Sequence, residues 1–346
     1  MQRSTAAAPR SPPACSLSAG ATDRTHAGGS SQARPRRIFI TGVAGQDGWY
    51  LAQQLAGAGH LVTGLVLPGQ QADAEEIRTI EGDLRDVDSL VRAIDAAAPD
   101  EIYNLAAATF VPASWEAPDE TRTVNALGVR NLVAAMLRAA PSARLCHASS
   151  AEIFGPPTGR PQDEDHPMLA ASPYGLAKAE AHKLIAETRA GGVFACSAIL
   201  FNHESPRRPP SFVTRKITMA AARIARGLGK EPVALGNLRA ARDWGYAPEY
   251  VEAMQRMLAA GEPRDYVVAT GRATTVGRFA ELAFARAGLD WRQHVVSDPV
   301  HEREGDSEAR IGNPSRIERE LGWKAATSVE ALVRIMVDAD LALPAE

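Results

Sequence analysis

Between residues 38 and 48 the chain passes from an apolar tetrad, Ile38-Phe39-Ile40-Thr41, into a turn with glycines at 42, 45 and 48. It leaves that turn in a helix-forming run, WYLAQQLAGAG, which Gly59 is placed to end. Few folds accommodate a strand, a glycine turn and a helix in such close succession. Glycines at this spacing allow a tight turn, let a backbone approach a pyrophosphate closely, and let the helix pack against its strand. The helix N-terminus then faces phosphate charge. The feature predicts the opening strand of a dinucleotide-binding sheet, with Gly42, Gly45 and Gly48 at the ligand.

The alternation continues. Apolar runs near residues 61–67, 77–83, 101–107, 143–149 and 193–202 are separated by helical patterns. Near-continuous apolar strands alternating with helices imply a parallel sheet covered on both faces. The expected fold class is therefore α/β: a Rossmann-like doubly wound parallel sheet with a smaller C-terminal substrate-binding α/β lid. Ligands on such a sheet sit beyond the carboxyl ends of its strands, and residues 42–48, Asp83, 106–108 and 149–152 all fall there. The reading assigns 1–36 to a disordered tail and 37–202 to the dinucleotide-binding domain, with about 236–271 returning to it. Residues 203–235 and 272–346 form the substrate domain, and Val329, Leu332, Val333 and Met336 face inward on a closing helix.

Up to Arg37 the chain has six Arg, one Asp and almost no large apolar side chains, too little to offset the entropy of ordering. An organellar transit peptide is the competing reading of that leader. The formal charge of the whole chain is -3, with no nucleic-acid patch and no apolar run long enough for a membrane span. Three cysteines, Cys15, Cys146 and Cys196, make no disulfide framework, and no cluster has metal-ligand spacing. A cytoplasmic location is expected, with no metal, nucleic-acid or membrane partner.

Residues 149–178 carry the chemistry. Tyr174 and Lys178 stand four apart in a run of good helix formers, which puts them on one helix face. Bringing a tyrosine from its usual pKa of about 10 to near neutrality requires roughly 4 kcal/mol of preferential phenolate stabilisation, and a neighbouring ammonium supplies much of that. Ser150, at the end of a strand, is placed to hydrogen-bond the substrate oxygen whose proton Tyr174 removes. Glu152 is left as an additional acid or base.

The glycine turn, Asp83-Leu84, Asn104-Leu105-Ala106-Ala107, Asn125 and the Ser150/Tyr174/Lys178 set resemble the extended short-chain dehydrogenase/reductases that modify nucleotide sugars. The stretches TGVAGQDGWYLAQQL, LFNHESPRR, SFVTRKIT and RDWGYAPEYV narrow the likeness to the GDP-mannose 4,6-dehydratase family, from about residue 37 to about 343. The resemblance implies oxidation of the sugar at C4, elimination of water across C5 and C6, and return of the hydride to C6. It gives Tyr174 the C4 proton, with Ser150 sharing the hydrogen bond, and Glu152 the proton transfer of the elimination. It further implies cofactor contacts at Gln46, Asp47, Asp83, Leu84, Leu105, Ala106, Ala107 and His203, besides the glycines, Tyr174 and Lys178. Contacts to a GDP-sugar are implied at Ser114, Asn202, Val213, Lys216, Arg242 and Arg303. Arg207, Arg208 and Arg215 stand equally for phosphate binding or for a solvated loop. The implied cofactor is NADP, with NAD as the alternative, because residues 67–71, LPGQQ, carry neither the arginine nor the acid that separates the two. The same shortened loop favours a homodimer over a tetramer, through helices at 125–138 and 171–190. That loop and the segment Ala107-Ala108-Thr109-Phe110-Val111-Pro112 also resemble the GDP-6-deoxy-4-keto-mannose reductases, the second functional reading; a non-catalytic dinucleotide-binding scaffold is the third.

Overall fold

A computed structural model describes residues 34–73, 77–157, 159–298, 300 and 309–344. Most of the expected tail and Arg303 therefore lie outside the described residues. Six strands arise where the apolar runs stand: β1 (Arg37–Thr41), β2 (Leu61–Val66), β3 (Arg78–Glu81), β4 (Glu101–Asn104), β5 (Arg144–Ser150) and β6 (Ala195–Leu200). A seventh, Tyr266–Val268, joins them in one sheet, whose order from that strand is β6, β5, β4, β1, β2, β3. All neighbours are parallel. Tyr266–Val268 was not singled out in the sequence, since three residues are too few to show a period; it is a strand because β6 offers it a ladder.

Alternation along β1 shows how the sheet is covered. Ile38 and Ile40 join one core, with Leu51 and Leu55 of helix Gln46–Gly57 and Tyr250, Met254 and Leu258 of helix Ala247–Ala259. Phe39 points the other way, into a core with Leu90, Ile94, Leu132, Met136, Ala181 and Ile185 of helices Val87–Ala97, Gly128–Ala139 and Pro173–Ala190. Successive strand residues face opposite sides, so each face of the sheet buries its own apolar layer. Ile317 and Trp323 pack into the first of these cores.

A third core holds Ile217, Val233, Leu235, Trp244, Phe279, Phe284, Leu332, Val333 and Met336. It is built by helices Val213–Ala225, Val276–Arg286 and Val329–Leu341 and the short strand Val233–Leu235. Between this lid and the carboxyl ends of the sheet strands runs the trough that contains the site.

Candidate active site

Helix Gln46–Gly57 begins three residues before the expected run, directly out of the glycine turn. Gly42 has φ +71, and a Cβ there would stand 2.7 Å from the Ala106 amide nitrogen. At Gly48 a Cβ would meet the Gly42 carbonyl oxygen at 2.2 Å. The turn closes only because both side chains are missing. Thr41, wholly buried, ties it to the next strand end: its Oγ1 donates to Asn104 Oδ1 at 2.7 Å and accepts from the amides of Leu105 and Ala106, each at 3.1 Å. Asn125, in a π-helical turn, holds the following loop by bonding both the amide and the carbonyl of Ala108.

Gly42, Gly45, Asp83, Leu84, Leu105, Ala106 and Ala107 line a cavity of about 450 Å³. A backbone cradle of this shape, opening at a helix N-terminus, fits a dinucleotide. Gln46 and Asp47 border it too, but their side chains bond within the protein. Gln46 Nε2 donates to the His203 carbonyl at 3.1 Å and its Oε1 accepts from Ser205 Oγ at 2.7 Å, while Asp47 Oδ2 lies 2.8 Å from His203 Nε2. The side-chain amide of Gln46 and the carboxylate of Asp47 thus join the turn to residues 203–205, leaving the backbone N–H groups of this first helical turn for a ligand.

A second cavity, of about 260 Å³, is lined by Ser150, Glu152, Tyr174 and Lys178. Asp47, Leu105, Ala107, Thr109 and Arg208 border both cavities, so the two form one trough. Ser150 ends β5 and caps the short 3-10 turn Ala151–Phe154, its Oγ accepting from the Glu152 amide at 3.2 Å. Ser172 caps helix Pro173–Ala190, with proline in its first turn. Tyr174, Lys178 and His182 then follow at single-turn intervals along β5: Lys178 Nζ donates to the Ala148 carbonyl at 2.8 Å and His182 Nδ1 lies 3.3 Å from Ser149 Oγ.

The electrostatics of the pair differ from the expectation. Burial pushes the Tyr174 phenol up to about 12, against a hydrogen bond from Ser150 that pulls it down. Burial also pushes the Lys178 amine down to about 8. The amine sits 5.9 Å from the centre of the phenol ring, bonded to a backbone carbonyl. At that separation its charge does not outweigh the desolvation of a hydroxyl group this deeply buried.

Asn202, His203, Val213 and Arg242 line the cavity as expected of ligand contacts. Ser114 does not: it is 2 % exposed, and its Oγ donates to the Val111 carbonyl and accepts from the Tyr174 amide. It fixes the start of the Tyr174 helix and lies outside the lining of the cavity. Lys216 is likewise absent from the lining, because its Nζ donates to the Ala234 carbonyl at 2.7 Å. Of the three ambiguous arginines, Arg215 is buried against Asp340, Arg207 lies over the Trp49 ring, and Arg208 lines the cavity, with Nε 3.1 Å from Glu204 and its guanidinium 3.6 Å above Phe212.

Among the lining residues that the sequence did not single out is a buried arginine. Arg310, 7 % exposed, places Nη1 3.2 Å from Glu152 Oε1 and 3.1 Å from the Ala151 carbonyl. It lies 159 residues beyond Ala151 in an irregular segment, and no spacing in the sequence connects the two.

With this geometry in view, comparison with known proteins is direct. Residues 39–336 match the GDP-mannose 4,6 dehydratase family. GDP-mannose 4,6 dehydratase 2 of Arabidopsis thaliana is 42 % identical over 335 residues, covering 91 % of this chain and 89 % of its own. GDP-mannose 4,6-dehydratase of Vibrio cholerae is 35 % identical, covering 88 % and 94 %. Among solved structures, UDP-glucose 4-epimerase of Thermus thermophilus in complex with NAD superposes with a TM-score of 0.78 at 27 % identity, covering 88 % of this chain and 98 % of its own. RMD from Pseudomonas aeruginosa complexed with NADPH superposes at 0.77 with 25 % identity, covering 88 % and 99 %. The chain is therefore a member of the GDP-mannose 4,6-dehydratase family, hydro-lyases that remove water from GDP-mannose.

Proposed function

We propose that Ser150, Glu152, Tyr174 and Lys178 carry the dehydration. The observation that supports this most directly is that all four line one cavity continuous with the glycine-turn cradle. Tyr174 accepts the C4 hydroxyl proton, with Ser150 sharing the hydrogen bond, and Lys178 stabilises the phenolate. A nicotinamide dinucleotide held by the glycine turn with Asp83, Leu84, Leu105, Ala106 and Ala107 would supply the hydride acceptance and return that the reaction needs, and its positive charge would add to Lys178 in favouring the phenolate. Glu152 takes the C5 proton and delivers a proton to the departing C6 hydroxyl, since a carboxylate that accepts a proton can return it. Asn202, Val213 and Arg242 face the nucleotide end of the substrate, where arginine suits a diphosphate.

The decisive assay incubates the protein with GDP-mannose and follows the sugar nucleotide by mass spectrometry. The expected product has lost one water with no net cofactor reduction, and Glu152→Gln loses turnover by a factor of about 10²–10⁴ while still binding substrate. A Glu152→Gln variant with unchanged turnover ends the proton-transfer reading.

For the cofactor we take NADP as the preferred form, with Arg85 as the cation for its 2'-phosphate. Arg85 lines the cradle and its side chain is 53 % exposed, whereas Arg78 donates to the Ala96 carbonyl and does not line it. Arg85 also grips Asp83, with Nε and Nη2 at 2.6–3.0 Å from the carboxylate, so a phosphate there competes with an existing partner. Calorimetric titration checks the choice: NADP binds more tightly than NAD, and Arg85→Gln weakens NADP roughly tenfold without affecting NAD. Tighter binding of NAD by the unaltered protein reverses the assignment. The association proposed is a homodimer through helices Gly128–Ala139 and Pro173–Ala190.

A further inference from the structure

The ion pair between Arg310 and Glu152 has no part in the roles assigned so far, yet it joins the most deeply buried arginine of the cavity wall to the one carboxylate assigned to the elimination. We propose that Arg310 is the positioning residue of the water-removing step, fixing the Glu152 carboxylate toward the C5–C6 edge of the sugar. The inference rests on the reading of Glu152 as the group that moves the proton.

Three observations carry it. Glu152 stands on a 3-10 turn of four residues and its side chain is 29 % exposed, so its own element does little to fix the rotamer. One guanidinium nitrogen, Nη1, lies 3.2 Å from Glu152 Oε1 and donates to the Ala151 carbonyl at 3.1 Å, so the backbone just before Glu152 holds the cation beside the carboxylate it attracts. Among the described residues no hydrogen bond engages Oε2, which leaves that oxygen for the sugar. The seat of Arg310 is itself rigid. Its amide donates to the Ala241 carbonyl at 3.2 Å, and its carbonyl accepts from the Asp243 amide at 3.1 Å. The neighbouring Ile311 carbonyl accepts from the Gln162 amide at 2.9 Å. One segment thus braces Glu152 and runs beside Arg242, which lines the same cavity.

The step balances within the family reaction. As Oε2 takes the C5 proton, the C5–H electron pair becomes the C5–C6 double bond, and the C6–O pair leaves with the oxygen, which departs as water with a proton from Glu152. A misdirected carboxylate slows this step and leaves C4 oxidation, which Tyr174 serves, unaffected.

The test compares Arg310→Leu and Arg310→Lys with the unaltered holoenzyme, using GDP-mannose deuterated at C4 or at C5. Arg310→Leu is expected to lower kcat by about tenfold to a hundredfold, the value of a charge-assisted hydrogen bond, with KM little changed. The isotope effect from C5 rises and that from C4 does not. Arg310→Lys, which keeps the charge without the planar fork, recovers part of the loss and provides the reading if the leucine variant does not fold. An unchanged kcat, or a loss in which the C5 effect stays at its original value, overturns the proposal, because a residue that only supports the fold slows both chemical steps alike. Glu152→Gln separates the two levels: if it keeps turnover, the proton-transfer reading and this inference fall together. If it is inactive while Arg310→Leu is normal, only the role of Arg310 falls.

Discussion

His203 shows how one residue's surroundings dictate its charge. Nδ1 lies 2.8 Å from the Phe201 carbonyl oxygen and Nε2 lies 2.8 Å from the Asp47 carboxylate. Two acceptors require two N–H donors, which only the imidazolium has. Burial and Arg208 push the ring's pKa down, but Asp47 prevails and it is raised from the ordinary 6.5. Burial likewise pushes Asp47 up and is outweighed by His203, so its carboxyl is lowered from 3.8. The signs set a window. A raised histidine contributes its full stability below 6.5 and loses it as pH climbs through the folded value. A lowered aspartate contributes fully above 3.8 and loses it as pH falls through its folded value. His203→Gln, which leaves a partly buried carboxylate without its cation, is expected to cost about 2 kcal/mol near pH 6, and that cost shrinks as the solution turns alkaline. Thermal melts of both proteins across pH check this; parallel Tm curves would sink it. From sequence His203 read as a packing or cofactor residue, and nothing there placed an aspartate opposite it.

At the scale of elements, the helix Pro173–Ala190 does two jobs with two faces. Its inner face carries Tyr174 and Lys178 along β5 and buries Ala181 and Ile185. Its outer face leaves Leu176 56 % exposed, and Leu137 on the neighbouring helix is 46 % exposed. Placed at the centre of the proposed dimer, Leu176 buries about 1.5–3 kcal/mol of apolar surface per copy. Leu176→Glu should therefore weaken the dimer by roughly a hundredfold or more. Sedimentation velocity decides: the expected result is a dimer for the unaltered protein and a monomer for the variant. An unaltered protein that sediments as a monomer or tetramer removes the proposal. The two-faced character was legible from the i, i+4 spacing of Tyr174 and Lys178. The helix start was not legible for Gln46–Gly57, where the turn glycines give way to helix at Gln46, earlier than the apolar run suggests.

For the whole molecule, the sheet and the lid meet along a trough whose walls come from segments far apart in the chain. Residues 42–48, 105–108, 149–152 and 174–178 reach it because parallel strands present their carboxyl ends on one side. Residues 202–213 and 240–244 reach it from the lid side, together with Arg310. The side chains of Gln46 and Asp47 join the two bodies, bonding to residues 203–205. The glycine turn is accordingly part of the joint between sheet and lid as well as of the cradle.

The order of strands and helices, the glycine cradle and the membership of Ser150, Glu152, Tyr174 and Lys178 in one site were determined by sequence alone, because each follows from local periodicity or from chain order on a parallel sheet. Tertiary structure decided the rest. Ser114 and Lys216 carry polar groups suited to a ligand, but neighbouring carbonyls engage them. The Tyr174 phenol is pushed up because desolvation by everything packed around it outweighs the lysine one turn away. Arg310 meets Glu152 only because the lid's last irregular segment returns to the sheet, and a contact made by chain closure leaves no period or spacing to read.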